Sequence, residues 1–213
     1  MRKGWIFDLD GTLVDSLPGI AASLNAALST HGQSVHSSSA VRGFIGDGAE
    51  MLVRRSLVTR DEDLFLRVLA HFRQHYAKHW PNGTVPYSGI PELLSGLKSR
   101  GDCLAVLSNK PHAFTEQIVD TLFPGQFDHV LGQREGIAHK PDPAGLREIL
   151  ALPDWPHGRS VMIGDSVMDL QTARAAQIPS IAVTWGYHDR EQLAREEATW
   201  MVEDVAALAG VME

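Results

Sequence analysis

Trp5-Ile6-Phe7-Asp8-Leu9-Asp10-Gly11 opens the chain with a short apolar run that stops at two carboxylates and a glycine. Such a run, followed at once by a turn signal, reads as a buried strand ending at Asp8. The same design recurs downstream. Leu104-Ala105-Val106-Leu107 runs into Ser108-Asn109, and Val130-Leu131 follows Phe127-Asp128. Val161-Met162-Ile163 runs into Gly164-Asp165, and Ile181-Ala182-Val183 follows Ile178-Pro179-Ser180. Helical spacing fills the intervals, over Pro91 to Ser99, Ala113 to Leu122, Ala144 to Leu150 and Asp169 to Ala176. Alternating units of this length predict an α/β fold, a Rossmann-like doubly wound parallel sheet with helices on both faces.

One stretch breaks the alternation. Between Leu17 and Val85 only helical patterns occur, over Ile20 to Leu28, Ala49 to Leu57 and Asp61 to Trp80. Breaker-rich segments bound it, Asp15-Ser16-Leu17-Pro18 before and Pro81-Asn82-Gly83 with Pro86 after. Residues 1–16 and 86–213 are therefore expected to form the α/β domain, and residues 17–85 an all-helical insertion between its first and second strands.

Composition agrees and excludes several classes. The 213 residues carry 19 Lys+Arg against 26 Asp+Glu, a formal net charge of −7, with 44% hydrophobic and 21% charged residues. At ~150 residues per domain, this is one large domain or one domain with an insertion. A chain this long buries about 70% of its unfolded surface, enough to fold without a disulfide or a structural metal. The acidic balance weighs against nucleic-acid or anionic-membrane partners, because no basic cluster tracks phosphates. Cys103 is the only cysteine and lies in an apolar run, the setting of a buried thiol. No apolar run approaches the ~18 residues needed to cross a bilayer. Met1-Arg2-Lys3 is followed only by Gly4-Trp5-Ile6-Phe7 before Asp8, too short for a signal peptide, so a cytoplasmic location is expected.

In a parallel sheet, the loops after the strands emerge on one edge, and ligands bind there. Asp8, Ser108-Asn109, Lys140 and Asp165 all fall at or after strand ends and should converge. Asp8 and Asp10 lie two apart on extended chain, so both carboxylates start on one face, and Gly11 lets the backbone turn sharply. Asp165 and Asp169 add two more carboxylates, and so much like charge needs a counter-ion. A hard divalent cation such as Mg²⁺ fits all-oxygen ligands and keeps sites open for water and a phosphate oxygen. With Lys140 as a cation and Ser108 and Asn109 as hydrogen-bond donors, the set predicts a phosphoryl-transfer site.

The residues also carry a family resemblance. Asp8-Leu9-Asp10-Gly11-Thr12-Leu13-Val14-Asp15-Ser16 resembles the first motif of the haloacid dehalogenase-like hydrolase superfamily, and Ser108-Asn109-Lys110-Pro111 its second. Lys140-Pro141 resembles the third, and Gly164-Asp165-Ser166 with Asp169 the fourth. Within the superfamily the chain is most similar to the phosphoglycolate phosphatases, through Phe7 to Ser16, Leu52-Val53-Arg54-Arg55, Asn109-Lys110-Pro111 and Gly164-Asp165-Ser166. The resemblance implies that Asp8 attacks phosphorus to form an aspartyl-phosphate and that Asp10 is acid and then base. It implies Mg²⁺ on Asp8, the main-chain carbonyl of Asp10 and Asp165, with Asp169 either in the metal shell or partnering Lys140. Ser108 and Lys140 would bind the phosphoryl oxygens, and Lys140 would restrain Asp8.

The insertion then reads as the family's helical cap, which selects the substrate. Arg42, or backbone N–H groups at Gly46 and Gly48 beside Asp47, are candidates for a substrate carboxylate. The expected partner is a small phosphorylated metabolite, foremost 2-phosphoglycolate, acted on by a monomer or homodimer. Other capped phosphatases (for sugar phosphates, nucleotides or pyrophosphate) and a phosphosugar mutase would share the core residues. A non-catalytic phosphate-binding regulator would not need Asp10. Taken singly, His71, His75 and His79 read as one solvated helix face and Arg54-Arg55 as a solvated pair.

Overall fold

The computed structural model describes residues 2–156 and 158–213. The elements follow as β1 (Gly4–Phe7), β2 (Val14–Asp15), α1 (Leu17–Thr30), α2 (Ser38–Arg42), α3 (Gly48–Ser56), α4 (Glu62–His79) and a 3₁₀ turn (Trp80–Gly83). Then come β3 (Val85–Pro86), α5 (Ile90–Ser99), β4 (Cys103–Pro111), α6 (His112–Leu122), β5 (His129–Gln133), α7 (Ala144–Leu150) and β6 (Ser160–Gly164). The chain closes with α8 (Val167–Ala175), β7 (Ser180–Val183), α9 (Arg190–Ala194), β8 (Trp200–Val202) and α10 (Val205–Met212). Two compact units result, Met1–Val14 with Pro86–Glu213, and Asp15–Val85.

The first unit is built on a six-stranded sheet of order β5-β4-β1-β6-β7-β8, every pair parallel. From β1 the chain winds outward through β4 and β5, then returns to pair β6 with the other side of β1. The winding direction reverses between β1 and β6, and this is where an open α/β sheet has its binding crevice. Phe7 lies level with Ile163 on one side and Val106 on the other, so Asp8 leaves its strand beside Gly164 and Leu107.

All four residues of β1 are buried, as a central strand with helices on both faces requires. Ile6 packs with Leu107, Leu146, Ile149, Trp155 and Met162, while Phe7 meets the edge of Phe127. Cys103 joins the Ile6 cluster, and burial pushes its thiol pKa up, as expected of an inert core cysteine.

β4 runs further than its apolar pattern foretells. Its ladder with β5 pairs Leu107 with Leu131 and next Pro111 with Gln133, so four steps on one strand match two on the other. This bulge throws Ser108, Asn109 and Lys110 out of regular pairing at the sheet's ligand-binding edge, a common use of bulges. β8, α9 and α10 have no counterpart in the sequence reading. Only Val202 of β8 is buried, and Trp200 is exposed, so an edge strand of this kind carries no apolar signature.

The second unit is helical. Ile20, Leu24, Ala27 and Leu28 of α1 and Phe65, Val68, Leu69, Phe72 and Tyr76 of α4 recur at helical spacing and are buried. A Cβ on Gly83 would overlap the backbone of Gly19, so the 3₁₀ turn closes against α1 only because that residue is glycine. Of the three histidines, His79 is exposed, as a solvated face requires, while His71 and His75 are half-buried. His75 Nδ1 lies 3.1 Å from Ser23 Oγ, its ring stacks on His79, and His71 meets the edge of His31. Ser37 caps α2 by accepting from the Ala40 N–H. Among the described residues no helix is long and apolar enough to cross a membrane.

The central strand sets the stability of the first unit. Ile6 has no exposed surface, and Ile6→Ala is expected to cost about 2–5 kcal/mol, read as a lower urea midpoint at unchanged slope.

Candidate active site

Sequence-distant residues meet where β1 and β6 end. Asp8, Asp165 and Asp169 are buried, and one carboxylate oxygen from each lies within 4.8 Å of the others. Lys140 enters from the loop before α7 and is also buried. Its Nζ donates to the carbonyl of Leu107 at 2.9 Å and to Asp169 Oδ1 at 2.6 Å, and lies 2.9 Å from Asp8 Oδ1. Three acceptors thus surround an ammonium with three protons, which fixes the lysine in place.

Each carboxylate is held differently. Asp8 Oδ1 also accepts from the Leu9 N–H at 2.7 Å, while Oδ2 accepts no hydrogen bond from the described residues. Asp165 Oδ1 accepts from the Thr12 hydroxyl at 2.8 Å and Oδ2 from the Tyr187 N–H at 2.7 Å. Asp169 is the N3 residue of α8, and its Oδ2 accepts from the Ser166 N–H at 3.1 Å and hydroxyl at 2.7 Å, closing a capping box. Both oxygens of Asp169 are therefore engaged, one by Lys140 and one by Ser166.

The electrostatics follow from these counts. Burial, then repulsion from Asp169, outweighs the pull of Lys140 and pushes the Asp8 pKa up to about 7. Burial, then Asp8 and Asp169, pushes Asp165 up to about 8. Lys140 is raised as well. Burial works against its charge, but it faces both Asp169 and Asp8, and their attraction holds it above the ordinary lysine value. With all groups ionised, three carboxylates face one ammonium, and the two excess negative charges equal what a divalent cation supplies. The donors are all carboxylate oxygen, the chemistry that Mg²⁺ prefers.

Backbone without side chains makes this density possible. A Cβ on Gly11 or on Gly186 would overlap the Asp165 carboxylate, and one on Gly164 would overlap that of Asp169. Gly11 also has φ +85, a conformation that other residues adopt at a cost.

Asp10 lies apart from the three-carboxylate group. Its two oxygens accept from Lys110 Nζ at 3.0 and 2.8 Å, and both side chains are largely buried. Ser108 Oγ accepts from the Lys110 N–H at 3.2 Å, which leaves the hydroxyl proton free to donate. Asn109 turns its amide to the main chain of Lys140, accepting from the Lys140 N–H at 2.8 Å and donating to its carbonyl at 3.1 Å.

Arg42, Gly46 and Gly48 belong to the second unit. Arg42 ends α2, Gly46 and Gly48 have positive φ, and Gly48 starts α3. Arg54 and Arg55 are exposed, as a solvated pair would be, and both are ion-paired. Arg54 grips Glu62 with two hydrogen bonds and lies over the Phe65 ring, while Arg55 pairs with Asp47 and donates to the Phe44 carbonyl.

Sequence reasoning gave no role to Lys110, Thr12 or Tyr187. Lys110 and Thr12 sit inside motifs already quoted. Gly186-Tyr187 follows Ile181-Ala182-Val183, and the rule that strand-end loops converge on one edge could have brought this loop in.

Residues 5–183 match the family model described as haloacid dehalogenase-like hydrolase. The chain is 35% identical over 211 residues to a phosphoglycolate phosphatase of Pseudomonas syringae pv. tomato, covering 95% of this chain and 77% of that protein. A phosphoglycolate phosphatase of Rhodospirillum rubrum is 35% identical over 217 residues, covering 98% of this chain and 90% of that protein. The crystal structure of a predicted phosphoglycolate phosphatase from Haemophilus somnus superposes with a TM-score of 0.93 at 29% identity, covering 100% of this chain and 98% of that one.

The raised carboxylates carry a signed pH prediction. Asp8 and Asp165 start from an ordinary value of 3.8 and rise to about 7 and about 8 in the fold. Across that window the folded state binds more protons than the unfolded one, so their contribution to stability is lost as pH rises. In chelator, Asp165→Asn should lose less stability than wild type between about pH 4 and pH 8. Urea titrations at stepped pH check this, and parallel curves would show that the buried carboxylate is not under this strain.

Proposed function

Because the chain belongs to the haloacid dehalogenase-like hydrolase family, we propose that it is a Mg²⁺-dependent phosphomonoesterase that hydrolyses 2-phosphoglycolate through an aspartyl-phosphate on Asp8. The observation that carries the reading is the clamp of Lys140 on Asp8 and Asp169 beside Asp165, at the point where the sheet reverses its winding. The relatives' names supply the substrate.

The residues divide the work. Lys140 and Leu9 N–H hold Asp8 Oδ1, so Oδ2 is the oxygen left to attack phosphorus. That attack breaks the bond to the substrate oxygen, and Asp10 gives the departing alkoxide a proton. Asp10 then takes a proton from the water that attacks the aspartyl-phosphate, which releases phosphate and restores Asp8. The Ser108 hydroxyl and the Lys140 ammonium bind phosphoryl oxygens, and Asn109 acts by placing Lys140. Asp8, Asp165 and the main-chain carbonyl of Asp10 would hold Mg²⁺, with Asp169 contributing through Lys140. When bound, the metal cancels the site's excess negative charge and draws charge from the phosphoryl oxygens.

Carboxylate recognition falls to Arg42 and to backbone N–H groups at Gly46 and Gly48. The pairing of Asp47 with Arg55 supports this, since it offsets the one negative charge between the two glycines.

The test is kcat/KM for 2-phosphoglycolate against p-nitrophenyl phosphate, with Mg²⁺. Recognition of the carboxylate by a charged hydrogen bond worth ~1.5–3 kcal/mol should favour 2-phosphoglycolate by roughly 10–100-fold. Equal low values would leave the phosphatase chemistry and remove this substrate. Asp8→Asn should abolish release from both substrates, and a variant as active as wild type would remove Asp8 as nucleophile.

Arg42→Ala should raise KM for 2-phosphoglycolate by roughly tenfold or more and leave p-nitrophenyl phosphate unchanged. No rise in KM would take Arg42 out of the site.

A further inference from the structure

We propose that Lys110 is a positioning residue for Asp10, holding its carboxyl group where it delivers a proton to the leaving oxygen; the inference rests on the phosphatase reading. Lys110 and Asp10 are 100 residues apart, yet both Asp10 oxygens lie within hydrogen-bond distance of one ammonium, at 3.0 and 2.8 Å. The side chains are 6% and 13% exposed, so water screens the pair little. An aspartate at the end of a strand has free rotation about its two side-chain bonds. A two-point contact to a fixed cation removes most of that freedom.

Lys110 is itself held fast. Its N–H donates to the Ser108 hydroxyl oxygen at 3.2 Å, and its carbonyl accepts from the Thr115 hydroxyl at 3.2 Å. It lies within the bulge of β4, where the strand leaves its regular ladder with β5. Opposite it, Gly132 of β5 approaches so closely that an added Cβ would overlap the Lys110 carbonyl, the Thr115 hydroxyl and the His112 backbone. The bulge, the threonine and the glycine together aim a long, flexible side chain at Asp10. Asp8 and Asp169 have Lys140 as their cation. The site thus has two lysines with separate duties, one for the nucleophile and one for the acid.

The requirement for a delivered proton depends on the leaving group. Glycolate leaves as a strongly basic alkoxide and needs one, whereas p-nitrophenolate departs unaided. Because kcat/KM covers steps only through departure of the leaving group, it isolates the proton delivery from the later hydrolysis. Lys110→Met should lower kcat/KM for 2-phosphoglycolate by ~10²-fold, the low end of general acid catalysis, and that for p-nitrophenyl phosphate by less than about fivefold. Lys110→Arg, whose planar fork can also grip both oxygens, should recover at least about tenfold of the loss on 2-phosphoglycolate.

An equal loss on the two substrates, or one appearing as a raised KM for both, would make Lys110 a phosphate ligand and overturn the proposal. Unchanged activity in Lys110→Met would overturn it as well. If Lys110→Met fails to fold, the leaving-group comparison is made on Lys110→Arg and Thr115→Val, and an equal loss on both substrates there overturns it in the same way. Failure of the phosphatase reading is distinct, since wild type would then release phosphate from neither substrate.

Discussion

Burying three carboxylates within 4.8 Å of one another is the constraint on which the rest of this structure depends. Alone, such a group would keep its protons or pull water into the fold, because the cost of a buried charge exceeds that of almost any other buried group. One ammonium, from Lys140, offsets part of it. What surrounds the group serves to hold that ammonium. The Leu107 carbonyl takes its third proton, Asn109 clasps its main chain from both sides, and Asp169 is fixed at N3 of α8 by its bonds to Ser166. The remaining imbalance suits a divalent cation, which would supply the missing positive charge and a site for a phosphate oxygen.

The sheet topology explains why these groups meet. Asp8 follows β1, Asp165 follows β6, and β1 and β6 pair directly although more than 150 residues separate them. Lys140 lies after β5, and Ser108 to Lys110 lie in the β4 bulge, so every functional group of the first unit comes from one edge of the sheet. The strands supply rigidity, and the segments beyond them supply the chemistry.

Much of this was legible in the sequence because it rests on local signals. An apolar run followed by Asp-x-Asp-Gly gives the strand, the turn and the paired carboxylates at once, and the alternation of runs and helical patterns gives the parallel sheet. The insertion is visible from its breakers and its lack of strands. The rest has no local signal. β8 buries only Val202, so its pattern does not stand out, and α9 is five residues long. The Lys110–Asp10 pair and the contacts of Tyr187 and Thr12 with Asp165 join residues that only the fold brings together. Histidines at every fourth position suggested a solvated helix face, which holds for His79, while His71 and His75 are half-buried against His31 and Ser23, and no sequence spacing reveals a neighbouring helix.

The placement of the two lysines is itself informative about reactivity. On the proposed reading Asp8 is the nucleophile and Asp10 the acid, and a single shared cation could hold only one of them in place. Here each aspartate has a separate lysine, and the lysines differ in company. Lys140 faces two carboxylates and a carbonyl, which locks it as a fixed charge. Lys110 meets Asp10 through both of its carboxylate oxygens. The glycines at 11, 164 and 186 let the backbone close around Asp165 and Asp169, the carboxylates beside Asp8. The arrangement therefore gives each aspartate its own fixed ammonium along one sheet edge, which supports the proposed formation and hydrolysis of an aspartyl-phosphate on Asp8.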